Sequence, residues 1–238
     1  MNETPSGRTN SLRRREVRTT LDRLHKAARG DWRRGVRVLP GVLFGMLRGR
    51  SFGESLTPNA ARDIYMPLSR AQGEFLYLVA RTIGARRAVE FGTSFGISTI
   101  YLASAIRDNG GDSVIGTELE PSKHRQAEAN LKEAGLEDIT DIRLGDALQT
   151  LRDVPEPLDL VLIDGWKDLY LPVLGLLKPR LRPGAVVLAD NIFLFKKALR
   201  PCVEHMQSGE HGFESTTLPF WSGFEYSVYL GDGPGGRI

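Results

Sequence analysis

Between residues 87 and 189, five short apolar runs alternate with helix-patterned segments, and few folds accept that alternation. The runs are Arg87–Phe91, Ser113–Glu118, Thr140–Leu144, Leu158–Ile163 and residues 185–189. Residues 97–107, 122–134, 169–181 and 196–207 carry helical spacing, the third stretch interrupted by Pro172 and Pro179. Strand–helix repetition of this kind predicts a parallel, doubly wound α/β sheet. The runs are nearly unbroken in apolar character, as strands buried on both faces must be. Residues 212–218 and 225–230, joined by 219–223, predict a closing pair of strands.

Upstream of the first strand, residues 69–83 read as an amphipathic helix, with Ser69 as a cap and Gly84 as its stop. Farther upstream the character changes. Residues 1–50 hold 13 Lys/Arg against 4 Asp/Glu, a net of +9 within a chain of net +3, so the rest is net acidic. Residues 1–10 are polar and predict disorder. Residues 11–29 fit a basic amphipathic helix carrying Leu12, Val17, Leu21 and Leu24, and Gly30, Gly35, Pro40 and Gly41 punctuate the chain beyond it. The expected division is a basic helical extension over 1–57 and one domain over 58–238. The charge asymmetry leaves two meanings open: contact with nucleic acid or an acidic membrane, or a helix that is solvated or packed on a partner subunit.

Several classes drop out. No apolar run approaches the ~20 residues of a membrane-spanning helix. The N-terminus lacks the apolar core of a secretory leader. One cysteine, Cys202, excludes an internal disulfide framework and a multi-cysteine zinc site. His25, His124, His205 and His211 show no ligand spacing. A reduced, cytoplasmic setting is expected.

Open α/β sheets bind ligands at the carboxyl ends of their strands. The first strand runs into Gly92-Thr93-Ser94-Phe95-Gly96. Gly92 permits a sharp turn and close ligand approach, and Gly96 opens a helix whose N–H groups favour an anion. The G-x-x-x-G spacing differs from the dinucleotide fingerprint G-x-G-x-x-G, which disfavours a nicotinamide or flavin. Glu118 ends the second strand, where an acid can accept bonds from ribose hydroxyls. Gly92 and Glu118 together point to a nucleoside-containing cofactor. Asp146, after the third strand, either caps the next helix or sits beside the base.

The fourth run ends at Asp164 and the fifth at Asp190-Asn191. On neighbouring strands these would converge at one rim, as two carboxylates and an amide oxygen. Such an all-oxygen donor set suits Mg²⁺. Lys167 lies three residues past Asp164; its ordinary pKa near ~10.4 makes it a poor base until a cation and desolvation lower it. Trp166 offers an apolar wall, a stacking face or plain core packing.

The segments Val89–Thr99 (VEFGTSFGIST), Gly116–Pro121 (GTELEP), Ile163–Pro172 (IDGWKDLYLP) and Val187–Asn191 (VLADN) together resemble the metal-dependent class I O-methyltransferases, including the catechol and caffeoyl-coenzyme A enzymes. The resemblance covers about residues 60–230. It implies a Rossmann-like, seven-stranded sheet, mostly parallel with an antiparallel last strand, and S-adenosylmethionine as cofactor. By that likeness Glu90, Gly92, Thr93, Ser94 and Ser98 surround the methionine part. Glu118 lies at the ribose, Asp146 and Ala147 near the adenine, and Leu119 among the other cofactor contacts. Met66 and Leu68 cover the cofactor, and Asp164 and Trp166 complete its surroundings. Asp164, Asp190 and Asn191 match the metal ligands, with Mg²⁺ or another divalent cation expected, and Lys167 matches the general base. Asp164 and Lys167 are thus the catalytic pair.

Two departures stand out. Gly165 replaces a histidine beside the Trp-Lys pair. The family's late substrate-gripping glutamate has no secure counterpart, since Glu225 aligns with the final strand. Phe193, Phe195, Phe220 and Trp221 are candidates for the acceptor pocket.

The expected reaction is methyl transfer to a hydroxyl of a small catechol-like acceptor, in a setting such as secondary metabolism, by a homodimer. Two alternatives remain: an RNA-directed methyltransferase gripping with the basic arm, and a non-catalytic cofactor-binding scaffold. The arm holds only Trp32 and Phe44 as aromatics, which disfavours nucleic acid. The intact acidic trio and Lys167 disfavour the scaffold.

Overall fold

In the computed structural model, residues 10–35 and 68–231 are described. The polar stretch before residue 10, Phe44, the 57/58 boundary and Met66 lie outside them.

Seven strands form one sheet in the order β3-β2-β1-β4-β5-β7-β6. They are β1 (Arg87–Phe91), β2 (Ser113–Glu118), β3 (Thr140–Leu144), β4 (Leu158–Ile163), β5 (Leu181–Ala189), β6 (Phe213–Leu218) and β7 (Phe224–Tyr229). β1 to β5 pair in parallel, while β7 inserts antiparallel between β5 and β6. The mostly parallel sheet with an antiparallel last strand is therefore as expected.

Alternation along each strand feeds two cores. In β4, Leu160 and Leu162 face one layer, and Val161 and Ile163 the other. The first layer holds α1 (Arg15–Gly35), α2 (Arg70–Thr82), α3 (Ile97–Asp108) and α4 (Pro121–Glu133). The second holds α5 (Ala147–Thr150), α6 (Tyr170–Leu177) and α7 (Lys196–Gln207).

The described part of the arm packs its apolar stripe on the domain itself. Val17, Leu21, Leu24 and Ala28 are buried, and the first three join the core shared by α2, α3 and α4. Arg23 reinforces the contact through Glu133 and Asn130, and Arg70 pairs with Asp22. Burying each large aliphatic side chain contributes roughly 1.5–3 kcal/mol, which outweighs the preference of a basic helix for solvent. α1 also runs through Gly30 to Gly35, because one interior glycine costs a helix only about 1 kcal/mol.

One proline expectation and one strand boundary change. Pro172 does not interrupt its helix, since it lies in the first turn of α6, where the missing N–H would have no intrahelical partner. β5 starts at Leu181, earlier than expected. The register shift between Leu158 and Leu160 places Pro183 and Gly184 in an irregularity that needs no ladder bond from the proline.

The register aligns the strand ends. Phe91 is level with Thr117 on one side and Ile163 on the other, and Ile163 with Ala189. Gly92, Glu118, Asp164 and Asp190 therefore follow one another along a single rim. The strand order reverses between β1 and β4, the place where doubly wound sheets open a crevice.

Candidate active site

A cleft of about 1210 Å³ opens along that rim. Its walls include Leu68, Gly92, Thr93, Ser94, Ser98, Glu118, Leu119, Asp146, Ala147, Asp164, Trp166, Lys167 and Asn191. Glu90 and Asp190 sit beneath the floor, at 0% and 3% exposure.

Gly92 adopts φ +99°, and a Cβ there would lie 2.6 Å from the Asp164 carbonyl oxygen. Only glycine lets the loops after β1 and β4 approach so closely. Gly96 caps α3 in the left-handed conformation without a side-chain partner for the first turn, whose Ile97 and Ser98 line the cleft. Unpaired N–H groups there favour an anionic ligand group. The backbone N–H of Ser94 donates to Glu118 Oε2 at 2.8 Å, and that of Glu120 to Oε1 at 2.8 Å. The two bonds hold the half-buried carboxylate at the cleft wall. Asp146 caps α5 through Leu148 N at 2.9 Å and also lines the cleft. Trp166 is 44% exposed and forms a wall, which excludes the core-packing alternative.

Glu90 carries an unmet demand. Burial pushes its carboxyl pKa up, and the nearby Ser98, Thr99 and Thr93 hydroxyls oppose the rise. Thr93 and Thr99 both donate to Oε2, while buried Oε1 has no partner among the described residues. An orphaned carboxylate oxygen under a cleft with helix N–H groups nearby fits a zwitterionic amino-acid moiety. The ammonium would meet Glu90 and the carboxylate the start of α3.

The acidic residues converge. Asn191 Nδ2 donates to Asp164 Oδ1 at 2.6 Å, and Lys167 Nζ lies 3.6 Å from the same oxygen. Asn191 has φ +69°, a left-handed conformation that asparagine tolerates better than most residues. Its backbone N–H turns back to Asp190 Oδ1 at 2.6 Å. Burial raises the Asp164 pKa well above the carboxylate range, and the nearby Asp190 charge raises it further. Burial also raises Asp190, against hydrogen bonds from Ser222, Asn191 and Gln72. Lys167 moves the other way: burial lowers its pKa, and the two aspartates pull it back. Buried Asp190 and partly buried Asp164 face one lysine, and every side chain able to ligate offers oxygen. That is the donor chemistry of a hard divalent cation. The Asn191 amide presents nitrogen to Asp164, so ligation through its oxygen requires half a turn of the amide.

Sequence reasoning missed Tyr170, Gln72 and Ser222. Lys167 Nζ donates to the buried Tyr170 hydroxyl at 2.9 Å, and that hydroxyl donates to the Asp190 carbonyl at 3.1 Å. The i+3 spacing of Lys167 and Tyr170 was a usable signal, since one helical turn brings such positions together. The Ser69-x-x-Gln72 pattern announces a capping box, but not where the glutamine amide points.

Of the candidate acceptor residues, Phe195 lines the cleft. Phe193 and Trp221 are exposed, at 50% and 72%. Phe220 instead packs on Phe75 and Phe224, because its apolar face finds a larger aromatic cluster there. Glu225 is buried in β7, held by Gln207, Ser215 and Thr217.

The pattern of a family described as "Methyltransferase domain" matches residues 89–192. The chain is 38% identical over 135 residues to a catechol O-methyltransferase of Mycobacterium tuberculosis, covering 56% of this chain and 60% of that protein. It thus spans less than two thirds of that relative. A catechol O-methyltransferase of Mus musculus is 30% identical over 183 residues, covering 71% of this chain and 67% of its own length. An O-methyltransferase from Bacillus cereus, solved with SAH, superposes with a TM-score of 0.64 at 29% identity, over 72% of this chain and 86% of that one.

Proposed function

The chain belongs to the class I O-methyltransferase family, and from that membership we propose that it transfers a methyl group from S-adenosylmethionine to a hydroxyl of a small catechol-like aromatic acceptor, with Mg²⁺ or another divalent cation. The observation that carries the reading is the meeting of Asp164, Asn191 and Lys167 at the floor of the cleft, above Asp190. When bound, the cofactor supplies an electrophilic methyl carbon and the cation supplies Lewis acidity toward the acceptor oxygens.

The protein's own groups do the rest. Glu90, Thr93, Ser94 and Ser98 hold the amino-acid end of the cofactor, and Glu118 the ribose. Leu119, Asp146 and Ala147 line the base side, with Leu68 and Trp166 as apolar walls; Met66 belongs to the same set by resemblance alone. Asp164, Asp190 and Asn191 are the cation's ligands. A phenolic hydroxyl has a pKa near ~10, so it is a weak nucleophile at neutral pH. Lys167 accepts that proton at Nζ, and burial, which lowers its pKa, favours the neutral amine this requires. The Tyr170 hydroxyl keeps Nζ beside Asp164 rather than free in solvent. Fixing acceptor and donor in line can remove up to ~7–11 kcal/mol of barrier, so no covalent enzyme intermediate is needed. A homodimer and a cytoplasmic setting belong to the same reading.

The test is incubation with isotopically methyl-labelled S-adenosylmethionine and a panel of vicinal diphenols, read by mass spectrometry. Label should enter the acceptor with Mg²⁺, stop with EDTA and resume on adding excess Mg²⁺. Full turnover in EDTA would remove the cation, and no transfer to any vicinal diphenol would remove the acceptor class.

A further inference from the structure

Asp190 is held in an unusual way for a ligand-bearing carboxylate at a loop start. Its Oδ1 accepts from Gln72 Nε2 at 3.0 Å, Ser222 Oγ at 2.6 Å and the Asn191 backbone N–H at 2.6 Å. Gln72 Nε2 also donates to Ser222 Oγ at 2.8 Å, which closes a ring of three side chains. All three are buried, at 3–5% exposure. Every bond to this carboxylate falls on Oδ1, leaving Oδ2 without a protein donor among the described residues.

The other end of Gln72 is equally engaged. Its Oε1 accepts from Ser69 N at 3.1 Å and Ser69 Oγ at 2.8 Å, and its backbone N–H donates to Ser69 Oγ at 3.2 Å to complete the capping box that starts α2. An amide is required: a carboxylate would lack the donor toward Asp190, and an ammonium the acceptor toward Ser69. Ser69 follows Leu68, a wall of the cleft. One side chain therefore ties the cofactor-facing start of α2 to a carboxylate at the end of β5, 118 positions away.

We infer that Gln72 and Ser222 are positioning residues for the cation site, saturating Oδ1 of Asp190 so that Oδ2 is presented to the ion. The inference rests on the cation in the proposed function. Donors on one oxygen fix the carboxylate plane and remove the rotational freedom a ligand would otherwise lose on binding. Outer partners of this kind typically alter metal affinity 10–100-fold.

The experiment titrates Mn²⁺ into the full-length protein, read by electron paramagnetic resonance, beside the S-adenosylhomocysteine affinity from calorimetry. Wild type should bind Mn²⁺ and Asp190→Ala should lose it. Ser222→Ala and Gln72→Met should each weaken Mn²⁺ by roughly 10-fold or more, with S-adenosylhomocysteine affinity within about 2-fold. Ser222→Thr, which keeps the hydroxyl, should retain the ion. The double variant should fall short of the product of the singles, because both act on one oxygen. Wild-type Mn²⁺ affinity in Ser222→Ala and Gln72→Met, with Asp190→Ala having lost the ion, overturns the positioning role and leaves the cation site standing. Parallel loss of both ligands in the two variants overturns it too, since that marks general disruption. A wild-type protein that binds no Mn²⁺ removes the site and the inference together.

Discussion

Lys167 shows how position changes a side chain's chemistry. In water an amine of this kind stays protonated far above neutrality. Here burial lowers its pKa, while Asp164 and Asp190 oppose the shift. Neither opponent is at rest, because burial raises both aspartates. With both carboxylates ionised and Lys167 neutral, the group of three carries two negative charges, which a divalent cation would balance. Lys167→Met preserves much of the side chain's volume and removes the proton acceptor. It should lower kcat by about 10²–10⁴-fold while leaving S-adenosylmethionine affinity within a few-fold, measured by single-turnover kinetics and calorimetry. Turnover near wild type would take the proton away from Lys167.

The turn between β1 and α3 is set by backbone geometry. Gly92 has positive φ, and its missing Cβ is what lets the loop after β4 close against it. Ser94, with φ +50°, then turns its N–H to Glu118. Gly92→Ala places a methyl group against backbone atoms of Asp164 and Gly165, which cannot swing aside as a side chain would. The substitution should cost at least about 2 kcal/mol in denaturant unfolding. It should also displace Asp164, so Mn²⁺ and cofactor binding should weaken together. Unchanged stability would mean that the two loops are not in contact.

Across the domain, Val17, Leu21 and Leu24 of the basic arm are part of the first core layer. Leu21→Ala should therefore cost about 2–4 kcal/mol in a chemical melt, as for other buried leucines. A solvated arm would lose no more than about 0.5 kcal/mol. At the edge of the sheet away from the cleft, Asp159 ties strand starts together. Burial would raise its pKa, but Arg182 and the backbone N–H groups of Arg86 and Arg87 more than reverse this, so the folded value lies below the ordinary 3.8. Because the folded pKa is depressed, the stabilisation is complete above pH ~4 and disappears as pH falls through the folded value. Asp159→Asn should cost about 1.5–3 kcal/mol at pH 7 and progressively less under acid, followed by melts across that range. An equal cost at all pH values would show that charge is not the cause.

Much of the fold was legible residue by residue. β1 to β4 fall where apolar runs stand, and Ser69 caps α2 as expected, because strand burial and helix capping depend on neighbours within a few positions. The placement of Gly92, Glu118, Asp164 and Asp190 at strand ends was legible for the same reason. Three things depended on distant parts of the chain. The arm's apolar stripe needed α3 and α4 to bury it. The extended start of β5 needed its pairing to β4 to absorb Pro183. The anchoring of Asp190 needed Gln72 and Ser222, which local patterns describe only as a helix cap and a turn residue. Local periodicity determined which elements form and which chemical groups end each strand. Strand order and packing, which join residues a hundred positions apart, decided which of those groups meet and how burial shifts their charge.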